Sequence, residues 1–202
     1  ECHFDEAVSA VGVADEVRAG EQESTDAYII ACFGDPGLFA ARELTRAPVI
    51  GIAEAAFHLA TLISTRFSIV TTLRRTGIIA EHLLQTYGFT HHCRRIRAAE
   101  IPVLDLEDDA APALSKIIEE CLQAKDHDDI GAIVLGCGGM ADLTAEIQRK
   151  VGVPIVEGVT AAVKLAESLV SLGLETSKHG DLAFPPAKQF IGQYAHLSSN
   201  NA

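Results

Sequence analysis

Basic residues are scarce in this sequence. Its 202 residues include 16 Lys and Arg against 28 Asp and Glu, so the formal net charge is −12. Binding to a nucleic-acid backbone depends on clustered positive charge. The one short basic run, residues 94–97, is too small to provide it. We therefore expect no nucleic-acid partner.

Long apolar runs, signal-peptide features and paired cysteines are also lacking. Although 48% of the residues are hydrophobic, no apolar run approaches the ~18 residues that would span a membrane. The polar, acidic residues 1–6 have neither the basic nor the apolar region of a signal peptide. The five cysteines are an odd number without CxxC spacing, which argues against a disulfide framework. These absences predict a globular, cytoplasmic protein without membrane association, whose cysteines are thiols.

Two apolar, β-branched runs, residues 27–31 and 132–135, indicate buried strands of parallel sheets. Each run ends directly before a cysteine, Cys32 or Cys137, and each cysteine is followed by glycine, a helical stretch, a proline-led strand and another helix. Amphipathic helices are predicted upstream of both runs, near residues 4–19 and 110–125. A period of about 105 residues indicates a duplicated domain rather than a solenoid.

Strands that alternate with helices predict right-handed βαβ units, and hence an α/β fold of two lobes with parallel sheets. The second half has a further strand (67–72), helix (76–87) and extended stretch (93–104) without counterparts in the first. Either roughly forty residues are missing from the front of the chain or the first lobe has fewer strands. We favour the first explanation, because a two-stranded lobe would leave its sheet poorly covered.

The positions of Cys32 and Cys137 suggest paired proton transfer. Ligands of parallel α/β sheets bind at the carboxyl ends of strands, where both cysteines lie. At a glycine-containing turn that leads into a helix, the helix dipole lowers a thiol pKa and free backbone N–H groups stabilise a developing oxyanion. One thiolate and one thiol on opposite faces of a substrate carbon would invert its configuration. This chemistry requires no metal and no cofactor.

Other interpretations of these residues remain open. A cysteine at a buried strand end is usually a small hydrophobic residue, and we expect that structural role for Cys2, Cys93 and Cys121. A dinucleotide-binding loop at 136–141 is disfavoured, because Ala141 occupies the third glycine position of GxGxxG. A histidine, His179, either shapes the site or caps a turn, and we favour the turn.

The segments around both cysteines, 30–37 and 134–140, resemble the two cysteine motifs of the aspartate/glutamate/hydantoin racemase superfamily. Residues 51–56, 67–72 and 176–181 add to the resemblance, which covers nearly the whole chain and is nearest to the hydantoin and allantoin racemase branch. It implies two pseudo-symmetric Rossmann-like lobes with the active site in the cleft between them. The first lobe would comprise residues 1–65 and 175–202, and the second residues 66–174.

The resemblance also implies roles for particular residues. Cys32 and Cys137 would be the catalytic acid/base pair, and the substrate would be a small cyclic ureide, either allantoin or a 5-substituted hydantoin. Phe33, Gly34, Gly138 and Gly139 would contact the ring, while Thr71 and Thr72 would add hydrogen bonds. No metal or cofactor is implied, and a homo-oligomer is expected.

One departure and several rival functions accompany this resemblance. The family's N-terminal strand, which ends in an Asn-Pro-Asn loop, has no counterpart in this sequence. Aspartate and glutamate racemases usually place polar residues after the cysteines, whereas glycines and Phe33 follow them here. The alternatives are an amino-acid racemase, a maleate isomerase, an arylmalonate decarboxylase and a non-catalytic small-molecule binding protein on the same fold. The decarboxylase needs only one of the two cysteines.

Overall fold

A computed structural model describes residues 2–108 and 110–198. Helices and strands alternate along most of this chain. In order they are α1 (His3–Gln22), β1 (Tyr28–Ile30), α2 (Leu38–Leu44), β2 (Val49–Gly51), α3 (Ile52–Ile63), β3 (Phe67–Thr71), α4 (Arg74–Thr86), β4 (Cys93–Ala98), α5 (Asp105–Asp108), α6 (Ala110–His127), β5 (Ala132–Leu135), α7 (Thr144–Val151), β6 (Ile155–Glu157) and α8 (Gly158–Ser171). Two 3-10 helices, Gly138–Leu143 and Gly192–Leu197, complete the described elements. The described residues contain no helix with the length and apolar character needed to cross a bilayer.

The strands form two parallel sheets, which confirms the predicted fold class. In the first sheet β1 pairs with β2, with Ile29 opposite Ile50. The second sheet has the order β4-β3-β5-β6, with Ile69 opposite Val134 at its centre. Thus β1 and β2 correspond to β5 and β6, and the first sheet has no described equivalent of β3 and β4.

The second sheet is buried on both faces, as apolar runs without polar alternation predict. Along β5, Ala132 and Val134 point into one core cluster, and Ile133 and Leu135 into another on the opposite face. All four side chains are inaccessible to solvent. A third, smaller core lies beneath α1 and α2.

The helices that follow β2 and β6 join the two sheets. Helix α3 packs against β5 and β6, whereas α8 packs against β1 and β2, and the two helices also contact each other. Their first turns are so close that a side chain at Gly158 would overlap Ile52. Each half of the duplication therefore covers part of the other half's sheet.

The helix positions support the predicted duplication. Helix α1 and helix α6 lie where the pattern places them, upstream of β1 and β5. The segment after Cys137 differs from the expectation, since it begins with a 3-10 helix before α7. Two glycines, Gly138 and Gly139, lower the α-helical propensity there.

The chain after α8 returns to the first sheet. The Thr176 amide donates a hydrogen bond to the Arg46 carbonyl at 2.7 Å, and its hydroxyl donates to the Ala47 carbonyl at 2.9 Å. The Lys178 ammonium lies 4.6 Å from the centre of the Phe184 ring. The expected division into residues 1–65 plus 175–202 and residues 66–174 stays a prediction, and residues 1, 109 and 199–202 of it lie outside the described chain.

Candidate active site

A cavity of about 260 Å³ lies between the carboxyl ends of the two sheets. All eight residues that the sequence singled out line it: Cys32, Phe33, Gly34, Thr71, Thr72, Cys137, Gly138 and Gly139. Cys32 is exposed and Cys137 is partly buried. Both cysteines therefore border the same small space.

The two cysteine-bearing turns have matching geometry. The Cys32 carbonyl accepts a hydrogen bond from the Asp35 amide at 3.0 Å, and the Cys137 carbonyl accepts one from the Met140 amide at 3.2 Å. The turns also approach each other, because a Cβ at Gly138 would lie only 2.8 Å from the Ala31 carbonyl oxygen. Glycine at this position lets the second turn pack against the residue before Cys32.

Four backbone N–H groups that line the cavity have no hydrogen-bond partner among the described residues. Within residues 2–108 and 110–198, the N–H groups of Phe33, Gly34, Gly138 and Gly139 donate no hydrogen bond. Backbone donors in a folded protein normally have a partner. These four N–H groups are therefore available to carbonyl oxygens of a substrate, two from each half of the chain.

Helix dipoles contribute differently at the two turns. Helix α2 begins at Leu38, six residues after Cys32, in agreement with the helical stretch predicted after Gly34 and Pro36. Cys137 does occupy the N-cap of a helix, although that helix is the 3-10 segment Gly138–Leu143. At Cys32 the chain makes a tight turn in which Asp35 has a φ of 43°.

The two threonines at the end of β3 have different surroundings. The Thr71 hydroxyl contacts the Gly136 carbonyl at 3.1 Å and the Thr76 hydroxyl at 2.9 Å, so it ties β3 to β5. The Thr72 hydroxyl forms no hydrogen bond within the described chain. Thr72 is thus better placed than Thr71 to bind a ligand through its hydroxyl.

A buried carboxylate supports the Cys32 turn. Asp35 accepts hydrogen bonds from the Ala53 and Glu54 amides at the start of α3, each at 3.0 Å, and from the Tyr87 hydroxyl at 2.9 Å. Burial raises the pKa of Asp35 to about 6, against the opposing effect of these three donors. Since Tyr87 follows α4, this cluster holds the Cys32 turn against both halves of the molecule.

The remaining cysteines are not equivalent. Burial raises the pKa of both Cys93 and Cys121 to about 12, in agreement with the structural roles expected for them. Cys2 lines the cavity, and the structural role expected for it stays a prediction. His179 lies in an exposed turn outside the cavity lining, where its amide donates to the Ser177 hydroxyl. The turn is thus capped by the Ser177 hydroxyl, and the capping role expected for His179 stays a prediction.

Several lining residues were not identified from the sequence: Cys2, Glu6, Ala31, Thr76, Ile79, Val103 and Gly136. The amphipathic pattern of α1 predicts its helical conformation but not which end approaches the cysteines. Glu6 is the one carboxylate among the described lining residues, and no Lys, Arg or His is among them. Within the described chain, no three His, Cys, Asp or Glu side chains converge in a way that could hold a metal ion.

Comparison with known proteins identifies the family. A family model described as Asp/Glu/Hydantoin racemase matches residues 1–166. The chain belongs to the Asp/Glu/hydantoin racemase family. It is accordingly an isomerase of the racemase type, as the cysteine motifs suggested.

Individual family members are similar over most of this chain. An allantoin racemase from Klebsiella pneumoniae superimposes with a TM-score of 0.95 at 59% identity, with 98% of this chain and 81% of that chain covered. An allantoin racemase from Pseudomonas fluorescens gives a TM-score of 0.89 at 41% identity, covering 95% and 81%. A hydantoin racemase from Rhizobium meliloti is 50% identical over 188 residues, which are 93% of this chain and 78% of the relative.

Proposed function

We propose that the protein racemises a five-membered cyclic ureide, allantoin or a 5-substituted hydantoin, at the carbon next to a ring carbonyl. The similarity to hydantoin and allantoin racemases supports this activity. The observation that carries the mechanism is the cavity that Cys32 and Cys137 share, at corresponding positions of a duplicated unit.

In the proposed mechanism Cys32 and Cys137 act on opposite faces of the substrate carbon. The thiolate of one cysteine removes the proton, and the electron pair of the C–H bond moves onto the adjacent carbonyl as an enolate. The thiol of the other cysteine then donates its proton to the opposite face and becomes the thiolate. The configuration is inverted, and the protonation states of the two cysteines are exchanged.

Backbone amides would supply the electrostatic stabilisation of this enolate. Phe33 and Gly34 on one side, and Gly138 and Gly139 on the other, have N–H groups without a partner in the described part of the chain, and these groups are suited to bind the ring carbonyls. Donors that are already oriented toward the developing charge stabilise a transition state without reorganisation. Thr72 would add a hydroxyl donor, while Thr71 would hold the strand ends in place.

The cavity lining favours a neutral ring over a free amino acid. Aspartate and glutamate carry carboxylates that require a cationic or strongly donating partner when they are bound. Among the described lining residues there is no basic side chain, and one carboxylate, Glu6, is already present. The amino-acid racemase is therefore the less favoured alternative.

Deuterium incorporation tests the two-cysteine mechanism. Single enantiomers of allantoin and 5-methylhydantoin are incubated with the protein in D2O, and optical rotation and solvent deuterium at the chiral carbon are followed together. Wild-type protein should deposit deuterium at each inversion. Cys32→Ser and Cys137→Ser should each lower racemisation by at least ~100-fold, since a hydroxyl is too weak an acid to replace a thiol.

Cys93→Ser is the matched control, because Cys93 lies on β4 outside the cavity lining. It should racemise at close to the wild-type rate. Each active-site variant should still exchange hydrogen on its surviving face, and opposite enantiomer preferences would then assign one face to each cysteine. Near-normal racemisation by either Cys32→Ser or Cys137→Ser would refute the mechanism.

A further inference from the structure

The first turn of helix α1 places a carboxylate at the cavity. Glu6 Oε1 lies against the turn that carries Cys32, since a Cβ at Gly34 would be only 2.8 Å from this oxygen. Glu6 Oε2 pairs with His3 Nδ1 at 2.9 Å. The side chain of Glu6 is 26% exposed, and the residue lines the cavity together with both cysteines.

The two oxygens of Glu6 are in different states. Oε2 is engaged by His3, whereas Oε1 forms no hydrogen bond within the described chain. The carboxylate is therefore a hydrogen-bond acceptor with unused capacity beside a site whose other polar groups are chiefly donors. A ligand that complements this side of the cavity must present N–H or O–H groups to Glu6.

The two candidate substrate types differ in that respect. The carbon that is inverted bears an alkyl or aryl group in a 5-substituted hydantoin, and a ureido group, –NH–CO–NH2, in allantoin. The ureido group offers neighbouring N–H donors that suit a carboxylate. An alkyl group offers none, and it would remove water from the carboxylate without replacing the lost hydrogen bonds.

We propose that Glu6 determines substrate specificity by accepting hydrogen bonds from a ureido substituent, so that the preferred substrate class is ureido-substituted hydantoins, with allantoin as the simplest member. This inference rests on the proposed racemase activity. Glu6 takes no part in the proton transfer and holds the substituent while Cys32 and Cys137 act on the ring carbon.

The test compares two substrates in one isosteric variant, Glu6→Gln. Values of kcat/KM are measured by polarimetry for allantoin and 5-methylhydantoin, after subtraction of the enzyme-free rate. A hydrogen bond to a charged group corresponds to roughly 10- to 100-fold in binding. The kcat/KM for allantoin should therefore fall roughly 10- to 100-fold further than the kcat/KM for 5-methylhydantoin.

Glu16→Gln is the matched control, because Glu16 is an exposed carboxylate on the same helix and is not among the lining residues. It should leave the ratio of the two kcat/KM values at its wild-type value. Equal losses for both substrates in Glu6→Gln, or no loss for allantoin, would overturn the specificity role while the racemase activity stands. If wild-type protein racemises neither substrate, the proposed function itself fails and this inference fails with it.

Discussion

The hydrogen bond between Tyr87 and Asp35 should make a pH-dependent contribution to stability, which Tyr87→Phe can measure. The Tyr87 hydroxyl donates to an Asp35 oxygen at 2.9 Å, and burial raises the pKa of Tyr87 so that the phenol stays protonated. A hydrogen bond to an ionised group contributes about 1.5–3 kcal/mol to the free energy of unfolding, and one to a neutral group about 0.5–1.5 kcal/mol.

The sign of the pH dependence follows from the raised pKa of Asp35. Its pKa is about 6 in the folded protein, against 3.8 for an ordinary aspartate, so the folded state binds the proton more tightly than the unfolded state. Protonation of Asp35 therefore stabilises the folded protein. This stabilisation is fully present below about pH 4 and is lost as the pH rises through 6, which changes the free energy of unfolding by about 3 kcal/mol. Tyr87→Phe removes a donor that stabilises the anion, which raises the pKa of Asp35 further.

Tyr87→Phe should therefore lower the free energy of unfolding by about 2–3 kcal/mol at pH 8 and by about 1 kcal/mol at pH 5. Urea denaturation at the two pH values measures both numbers. Tyr194→Phe is the control, since Tyr194 is 43% exposed, and it should change stability by less than about 0.5 kcal/mol. Equal losses at both pH values would show that the reasoning about Asp35 ionisation is wrong.

Three further predictions concern glycines and thiols. Gly138→Ala should abolish racemisation, because its Cβ would lie 2.8 Å from the Ala31 carbonyl oxygen; a polarimetric rate within about tenfold of wild type would contradict this crowding. Gly12→Ala, in an open position of α1, should raise the free energy of unfolding by up to about 1 kcal/mol, and a lower urea midpoint would contradict it. Iodoacetamide at pH 8 should label the exposed Cys32 at least ~10 times faster than the buried Cys121. Peptide mass spectrometry measures the two labelling rates, and equal rates would contradict the difference in burial.

Local sequence patterns were sufficient to predict the strands and to predict that Cys32 and Cys137 lie at one site. Residues 132–135 form β5 over the predicted range because an unbroken apolar run is compatible with burial on both faces. Both cysteines line one cavity because the carboxyl ends of parallel strands in two related halves face a common cleft. These features depend on periodicity and duplication, which a single sequence contains.

Long-range contacts could not be predicted in the same way. The bond between Asp35 and Tyr87 joins residues 52 positions apart, and it depends on how α4 packs near the first sheet. Glu6 and Cys2 reach the cavity because of the direction in which α1 lies, which its helical period does not specify. The left-handed conformation of Asp35 and Gly37, with φ of 43° and 71°, likewise belongs to a turn whose geometry the sequence period does not specify.

The exchange of helices between the two sheets has a consequence for folding. Because α3 covers β5 and β6 while α8 covers β1 and β2, melting either sheet would expose apolar surface on a helix that belongs to the other half. The two halves of the duplication should accordingly unfold in one cooperative transition, with the amides of α3 and α8 exchanging hydrogen only through global opening. A half-length chain would lack one of the layers that bury its own sheet, so we expect it to fold only when a second copy supplies that layer.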